Sequence, residues 1–334
     1  MNKKSNIIKE INLNKIRKAL KEVNIATKPQ LSQLTSLSVV TVNSLVNTLI
    51  DIGEIRTDET QQSEGGRPAL TYRYNANYRL VLVIYMHEHQ GQDKAFYRVI
   101  DLRGEVIDSR EQVLTEVHIG SFDSHIEELI HQYPQIQAIC FGIPGHEVNQ
   151  RLVIIDYEKL KGESLSGYIN EKFMCKVWIE NDINAAVFGY AHINKISKCE
   201  CIVGFYFPEK YPPGGGIYLN GKIYKGRDGL AGEIKYLPLG IDWEFFDYNR
   251  REYSEYMVKT IQTFLCTYNP NRIILYGEGV KEDVIQEIVN RCASQVEKIL
   301  LPDLIISTEL NKHFEIGIKE IALSMINTEY DINQ

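Results

Sequence analysis

The stretch that decides the fold of the N-terminal part reads TKPQLSQLT (27–35), SLSVVTVNSLVNTLIDIGEI (36–55) and, after a polar segment, GGRPALTYRYN (65–75). Apolar residues recur at helical spacing in the first two pieces. Pro29 suits a first helical turn, and Ser38 is a natural N-cap. The order predicts two short helices joined by a tight turn and followed by a hairpin with Gly66, Arg67 and Pro68 at its tip, which is the pattern of a winged helix-turn-helix.

The helix that follows Ser38 is the one expected to contact DNA. Its buried side should consist of five apolar residues: Val39, Val42, Leu45, Val46 and Leu49. The other side carries short polar residues that can face base edges or phosphates: Ser38, Thr41, Asn43, Ser44 and Asn47. Leu31 and Leu34 should form the inner face of the preceding helix. No Lys or Arg lies between Gln30 and Ile55, so base contacts would depend on short polar and methyl groups, with phosphate attraction supplied by the first helix and the wing.

Arg67 is the sharpest single candidate in this region. On a turn between Gly66 and Pro68, its flat guanidinium suits a narrow minor groove, whereas the alternative is a solvated arginine on a mobile loop. For the whole segment the alternative is an ordinary three-helix bundle. We favour DNA binding because helices, cap and basic hairpin agree in order and spacing. One such motif covers a half-site, so the expected partner is a two-fold symmetric double-stranded DNA operator bound by a homodimer or a higher homo-oligomer.

Charge divides the chain into two unlike parts. Residues 1–80 carry 12 Lys and Arg against 7 Asp and Glu, whereas the remaining residues carry 25 against 37, for a net charge of -7. Only the N-terminal part suits a polyanion. The 334 residues contain no run of about 18 apolar residues, and the first fifteen lack the apolar core of a secretion signal. We therefore expect a cytoplasmic protein that makes no membrane contact.

The cysteines and histidines do not predict a metal site. Of the six cysteines only Cys199 and Cys201 are close together, in a spacing unlike that of a zinc knuckle. His87 and His89 flank Glu88 and suggest a metal pair, but the spacing supplies no third ligand, so we interpret them as surface or turn residues. We predict neither metal nor cofactor.

Beyond residue 79, strands and helices alternate. Strands are expected at LVLVIYM, at AFYRVIDLRGEVIDSREQVL with a hairpin at Arg103-Gly104, and at IQAICFGIPG, KVWIEND, CIVGFYF, GGGIYLNGKIYKG and RIILYGEG. Helices are expected at 121–133, from Ile183, at 252–268, at 281–298 and at 314–327. The pattern predicts an α/β domain of two lobes over residues 79–334, with the lobe boundary near residue 190 and residues 1–78 as the DNA-binding domain.

Six motifs together resemble the ROK family, which groups repressors with sugar kinases, and in particular its regulators of the xylose and N-acetylglucosamine repressor type. They are GGRPALTYRYN, FGIPG (141–145), IENDINAA (179–186), GGGIYLNGKIYKG (214–226), GLAGEI (229–234) and NPNRIILYGEGV (269–280). The resemblance covers essentially the whole chain. It implies a two-lobed, sugar-kinase-like domain of the ribonuclease-H-like, actin/hexokinase type, with a sugar cleft between the lobes.

The resemblance also implies which residues would contact a sugar. Asn181 and Asp182 would hydrogen-bond hydroxyl groups, and in kinase members Asp182 would be the base that removes the hydroxyl proton. Glu233 would be a further contact. Carboxylates and amides suit this because each holds adjacent hydroxyls in fixed directions. The alternative is that Asp182 and Glu233 only cap helices or turns.

Several positions depart from the family pattern. Where its kinases have D-x-G-G-T, this chain has residues 87–92, HEHQGQ, and the second phosphate loop reads KYPP at 210–213, whose prolines lack amide donors. Tyr236 stands where the family has a histidine that touches sugar and binds zinc, and the cysteine-rich zinc loop is missing. Tyr236 is kept as a candidate ligand contact, and Lys235 would favour an acidic or phosphorylated sugar.

The sequence thus predicts a homo-oligomeric transcriptional repressor that responds to a sugar or sugar derivative through a catalytically degenerate kinase-like domain. It is not predicted to be an enzyme, because both phosphate-binding loops are altered. Two alternatives remain open. One is an active sugar kinase with a fused DNA-binding domain, and the other is a DNA-binding or scaffold protein that responds to no ligand.

Overall fold

A computed structural model describes residues 3–61, 69–208, 211–243, 245–246, 250–277, 282–293 and 301–328, together with residues 280 and 297. The expected wing tip, Gly66-Arg67-Pro68, and Lys210 lie outside the described residues. Within the described part, no helix is both long enough and apolar enough to span a membrane.

The N-terminal unit combines three helices with a small antiparallel sheet. In chain order its elements are α1 (Lys3–Val23), β1 (Ile25–Thr27), α2 (Lys28–Thr35), α3 (Val39–Asp51), β2 (Ile55–Gln61) and β3 (Ala69–Tyr74). Strand β3 lies between β1 and β2. The two long strands therefore form a hairpin directly after α3.

Local sequence explains why α2 and α3 begin where they do. Thr27 and Gln30 form a reciprocal capping box at the start of α2. Ser36 takes the left-handed conformation, with φ 57°, and turns the chain between the helices. The Ser38 hydroxyl then accepts a hydrogen bond from the Thr41 backbone N–H, so Ser38 is the N-cap of α3 as predicted. Gly53, at φ 82°, follows the end of α3.

The core under α3 matches the prediction except at two positions. Four of the five expected residues are buried: Val42, Leu45, Val46 and Leu49. Val39 was expected to be buried but is 52% exposed. It is the first residue of α3, and the neighbouring elements do not extend over that end of the helix. Leu34 is also 52% exposed, so the inner face of α2 depends on Leu31. A buried ion pair, Arg17 Nε to Glu54 Oε2 at 2.7 Å, ties α1 to the segment between α3 and β2.

The rest of the chain forms two five-stranded sheets. The first contains β4 (Leu80–His89), β5 (Gln92–Ile100), β6 (Val106–Val113), β7 (Ile136–Ile143) and β10 (Lys176–Asn181). The second contains β11 (Ile202–Tyr206), β12 (Gly214–Leu219), β13 (Lys222–Ile223), β14 (Arg272–Tyr276) and β15 (Asp303–Ser307). Strands β8 (Gly145–Val148) and β9 (Arg151–Ile155) form a separate hairpin. The helices are α4 (Asp123–Gln132), α5 (Leu165–Phe173), α6 (Asp182–Ile193), α7 (Arg250–Tyr268), α8 (Glu282–Ala293) and α9 (Leu310–Thr328).

The two sheets have the same topology. In each sheet the first strand lies at the centre. On one side two strands follow it as a meander in which each strand is antiparallel to its neighbour, and on the other side lie two parallel strands. The strand orders are β6-β5-β4-β7-β10 and β13-β12-β11-β14-β15. Strands β4 and β5 are nine to ten residues long, whereas β11 and β12 have five and six. The part of the chain after residue 79 is therefore built from two lobes whose sheets share one topology and differ in strand length.

Helices α6 and α9 join the lobes. Helix α6 packs against β11 and β12 of the second sheet, and α9 packs against β4 and β7 of the first. The chain passes to the second lobe between Asn181 and Asp182, eight residues before the expected boundary, and it returns to the first lobe at its end. The C-terminal helix begins at Leu310, four residues before the predicted start, because Leu310 packs against both the first core and the core around α6.

Candidate functional site

The expected sugar-binding residues lie at one edge of the first sheet. Strands β7 and β10 are parallel, with Asn181 opposite Ile143, so their carboxyl ends meet there. The chain continues from β7 into Gly145 and His146, and from β10 into α6. Antiparallel β5 begins at the same edge, which brings Asp93 close by. Strand ends of this kind are the usual ligand position in α/β sheets.

Asn181 caps α6 and holds Asp182 at its first position. The Asn181 side-chain oxygen accepts a hydrogen bond from the Asn184 backbone N–H at 3.0 Å, and its amide nitrogen donates to Asp182 Oδ1 at 2.9 Å. Asp182 Oδ1 also accepts from the Ile183 backbone N–H at 2.8 Å. Helix capping, the alternative role considered for Asp182 and Glu233, is therefore performed at α6 by Asn181, the residue before Asp182. Both of these hydrogen bonds are accepted by Asp182 Oδ1, and neither involves Asp182 Oδ2.

Glu233 reaches the same place from the second lobe. Gly232, at φ 100°, precedes it, and a Cβ there would lie 2.3 Å from the Gly215 carbonyl oxygen, so only glycine fits. Glu233 Oε1 is 2.7 Å from His146 Nε2, and Glu233 Oε2 is 3.6 Å from Lys235 Nζ. The Glu233–His146 contact thus closes one side of a cleft between the lobes.

Carboxylates dominate the electrostatics of this cleft. Burial, with Asp156 and Glu233 nearby, raises the pKa of Asp182 from 3.8 to about 7, although the Ile183 N–H and His146 favour its charged form. Withdrawal from water also raises the pKa of Asp156, whose carboxyl lies in the cleft although part of its side chain is exposed. The pKa of Glu233 is lowered, because His146 and Lys235 outweigh its burial. Lys235 is therefore already paired with a carboxylate.

A cavity of about 340 Å³ adjoins this cluster. It lies between the β8–β9 hairpin, the end of β10 and the loop at 225–229, and Asn181 and His146 are on its wall. Inside it, Lys225 Nζ contacts Glu180 Oε2 at 2.7 Å, and Glu180 is 4% exposed. Hydroxyl-rich ligands suit such a wall, because charged and amide groups there offer both donors and acceptors.

The structure brings together three of the four candidate ligand residues. Asn181, Asp182 and Glu233 lie around the cleft, since Asp182 is within electrostatic reach of Glu233. The Tyr236 ring is 65% exposed and stacks under Lys235 Nζ at 5.4 Å. The sequence prediction did not include three cleft residues: Asp93, His146 and Asp156. His146 directly follows the quoted FGIPG motif, which was the one available indication of it.

Residues 87–92, HEHQGQ, lie in a tight hairpin between β4 and β5. Strands β4 and β5 pair without interruption to His89 opposite Gln92, and the turn consists of Gln90 at φ 54° and Gly91 at φ 75°. His87 stacks on Phe96 with ring centroids 4.5 Å apart. The backbone here is a regular two-stranded ladder closed by a two-residue turn, with imidazole side chains at both His87 and His89.

Helix α3 presents a polar outer face. Four of the five predicted DNA contacts are exposed: Ser38, Asn43, Ser44 and Asn47. The fifth, Thr41, is half-buried. Lys28, at the start of α2, was not predicted. Its Nζ contacts Asn43 Oδ1, lies 3.4 Å from Asn47 Oδ1 and sits 5.2 Å from the centre of the Tyr72 ring. A cation is therefore held on this face despite the absence of Lys and Arg from α3.

In the described part of the chain, no group of three or more His, Cys, Asp or Glu residues is arranged to hold a metal ion.

Comparison with known proteins places this architecture in a family. The model of the ROK family matches residues 89–242, which include β5 to β13 and both halves of the cleft. Over these residues the chain is similar to the ROK family. The mixed α/β fold is the sugar-kinase-like fold of that family.

Relatives of the ROK domain include regulators and kinases. The xylose repressor of Bacillus spizizenii is 26% identical over 243 residues, which are 70% of this chain and 61% of the repressor, so the chain spans about six tenths of that relative. A ROK family transcriptional regulator, a homolog of the E. coli MLC protein, superimposes over 97% of this chain and 99% of its own, with a TM-score of 0.67 and 17% identity. A ROK glucokinase from Streptomyces griseus, solved with glucose and AMPPNP, covers 73% of this chain and 99% of its own, with a TM-score of 0.54 and 15% identity.

Proposed function

We propose that this protein is a sugar-responsive transcriptional repressor. Residues 1–78 form a winged helix-turn-helix, and residues 79–334 form the ROK-type effector domain that binds a carbohydrate and joins subunits into a homodimer or a higher homo-oligomer. It acts in the cytoplasm on double-stranded DNA. The observation that carries the proposal is the exposed polar face of α3, capped by Ser38 and supplied with a cation by Lys28.

The geometry of the N-terminal unit supports DNA binding in particular. Helix α3 is buried on one side only, and the β2–β3 hairpin follows it at once, so a helix and a wing project from one compact core. A major groove about 12 Å wide admits such a helix. The xylose repressor name of a relative and the likeness of the whole chain to a ROK transcriptional regulator agree with this assignment.

We propose that the effector is a neutral or amino sugar held by Asn181, Asp182 and Glu233. Three carboxylates face this cleft against His146 and Lys235, and Lys235 is paired with Glu233. An acidic or phosphorylated sugar would add a further negative charge beside Asp156 and Asp182. This revises the expectation that Lys235 selects an anionic sugar, because that expectation ignored the pairing with Glu233.

The test for the repressor function is selection of duplex DNA from a random pool by the full-length chain. We expect enrichment of a two-fold symmetric, partly A·T-rich sequence, since one helix and one wing per subunit cover a half-site. If no sequence is enriched and the chain binds all duplexes equally, in a salt-dependent way, the proposal is contradicted.

A sugar kinase is the second candidate, and one observation favours it. Asp182 has a pKa of about 7, which suits a general base at neutral pH. Phosphoryl transfer depends mainly on positioning and neutralising the phosphates, however, and residues 87–92, HEHQGQ, carry bulky and acidic side chains where the family's kinases have small ones. We therefore expect no ADP release in a coupled assay with ATP, magnesium and a sugar panel. Turnover that disappears in Asp182→Asn would establish the kinase.

A further inference from the structure

Val40 is the more exposed of two apolar residues, Val39 and Val40, in the first turn of α3. It lies in the first turn of α3 and is 81% exposed. Asn43, Ser44 and Asn47 follow it at three, four and seven residues, so all four share one stripe of the helix, opposite the buried side that contains Val42 and Leu45. The fold gains little from a valine at this position.

The polar groups on this stripe are partly engaged within the protein. Lys28 Nζ contacts the side-chain oxygens of Asn43 and Asn47, which leaves their amide nitrogens as the outward groups. Adenine is read by an asparagine that uses both its oxygen and its nitrogen. In this arrangement Lys28 already occupies one lone pair of each amide oxygen, so apolar contact with thymine is a second way to distinguish an A·T pair.

We propose that Val40 reads thymine, through contact between its methyl groups and the C5 methyl group of the base in the major groove. This inference rests on the proposed DNA-binding function. The thymine methyl is the apolar group that the major groove exposes, and the N-terminal turn of a recognition helix is the part that meets base edges. Lys28 beside the stripe and the excess of basic residues in 1–80 favour a polyanion over a second copy of the same basic surface.

The experiment uses the duplex enriched by the full-length chain, with each thymine replaced in turn by uracil, which lacks only the methyl group. We expect one thymine per half-site at which the substitution weakens binding about fourfold, the equivalent of ~0.8 kcal/mol for one buried methylene-sized group. Val40→Ala should lose affinity on the thymine duplex and show no further loss with uracil, as two partners of one contact behave in a double-mutant cycle.

Val153→Ala is the matched control, because Val153 is 46% exposed on β9 and lies in the effector domain. It should retain the full penalty for uracil. Melting temperatures of both variants should stay near that of the original protein, since neither valine is in a core.

The remaining outcomes separate this inference from the function on which it rests. Specific DNA binding in which no thymine-to-uracil change matters, or an unchanged uracil penalty in Val40→Ala, would overturn the role of Val40 and leave the repressor intact. A changed sedimentation coefficient in Val40→Ala would show that the valine is a self-association contact and would equally overturn it. Failure to select any specific sequence would instead remove the DNA-binding function itself.

Discussion

Gly189 on α6 and Gly317 on α9 meet backbone to backbone where the two helices cross. A Cβ atom on Gly189 would lie 2.0 Å from the His313 carbonyl oxygen, and one on Gly317 would lie 1.7 Å from the Ala185 carbonyl oxygen. Helix α6 begins at the cleft and packs on the second sheet, whereas α9 packs on the first. The two glycines thus allow the helices that join the lobes to touch without intervening side chains.

Gly317→Ala should destabilise the protein. The added methyl has no room, so α6 and α9 must separate, at a cost of roughly 1–3 kcal/mol in the free energy of unfolding. Thermal or urea denaturation followed by circular dichroism measures this. Gly214→Ala is the control, since its Cβ would make an ordinary contact of 3.5 Å with Ile183 Cγ1. Equal stability of the two variants would show that the helix crossing is looser than the structure indicates.

Asp182→Asn should stabilise the ligand-free protein at pH 8 and change little near pH 4. The folded pKa of Asp182 is raised from 3.8 to about 7, so between these values the folded chain holds a proton that the unfolded chain has released. The free energy of unfolding therefore falls as pH rises through this window. The gain in the variant should be about 1–2 kcal/mol, less than the full shift because Asp182 is only half-buried.

The control for that experiment is Asp303→Asn, whose carboxylate is 77% exposed on β15. It should give melting temperatures that follow those of the original protein at every pH. If the melting temperatures of Asp182→Asn also match those of the original protein at every pH, the Asp182 carboxyl is not buried in the folded state.

Neutral and amino sugars should raise the melting temperature more than acidic or phosphorylated sugars of the same ring. The carboxylates of Asp156, Asp182 and Glu233 repel a ligand anion, and Lys235 is already paired with one of them. A thermal-shift panel at fixed sugar concentration checks this. A phosphorylated sugar that gives the largest shift would restore the expectation made from the sequence.

Glu233→Gln should weaken binding of the best sugar in that panel about tenfold, because a hydrogen bond to a charged group contributes roughly 1.5–3 kcal/mol and part of it remains with the amide. Glu158→Gln is the matched control, since the Glu158 side chain is 86% exposed. Isothermal titration calorimetry compares the two. Equal affinities would place Glu233 outside the ligand site.

Arg67→Ala should weaken specific DNA binding by roughly 1–3 kcal/mol and relax the preference for A·T pairs where the wing meets the minor groove. Arg67 lies outside the described residues, so this prediction depends on its sequence context, Gly66-Arg67-Pro68. Arg151→Ala, an exposed arginine in the effector domain, is the control. Gel-shift titrations in which both variants bind like the original protein would show the wing to be incidental.

Much of the N-terminal unit was predictable because its determinants are local. The cap at Ser38 and the periodic burial of α3 depend on residues three or four positions apart. Val39 and Leu34 were assigned wrongly, since periodicity identifies a face but not how far the neighbouring elements extend over its ends. Lys28 was missed on the α3 face because it belongs to the preceding helix.

The cleft was less predictable because its parts are distant in sequence. Motif resemblance supplied Asn181, Asp182 and Glu233, whereas His146 and Asp156 join them only through the fold. The repeated topology of the two sheets was predictable only through the family resemblance, which implies two lobes of the ribonuclease-H-like type, because the pattern of strands and helices does not give strand order. The sign of the cleft charge depends on the Lys235–Glu233 pair, which spacing alone did not reveal.

In the function proposed above, one chain binds a specific DNA sequence and adjusts that binding to a sugar in the cleft. Fluorescence anisotropy of the selected duplex, titrated with protein in the presence and absence of the sugar that most raises the melting temperature, tests it most directly. We expect the sugar to change the apparent Kd for DNA at least fivefold, and the change to vanish in Asp182→Asn while DNA binding without sugar persists. Specific DNA binding that no sugar alters, in a protein that demonstrably binds that sugar, would contradict the account.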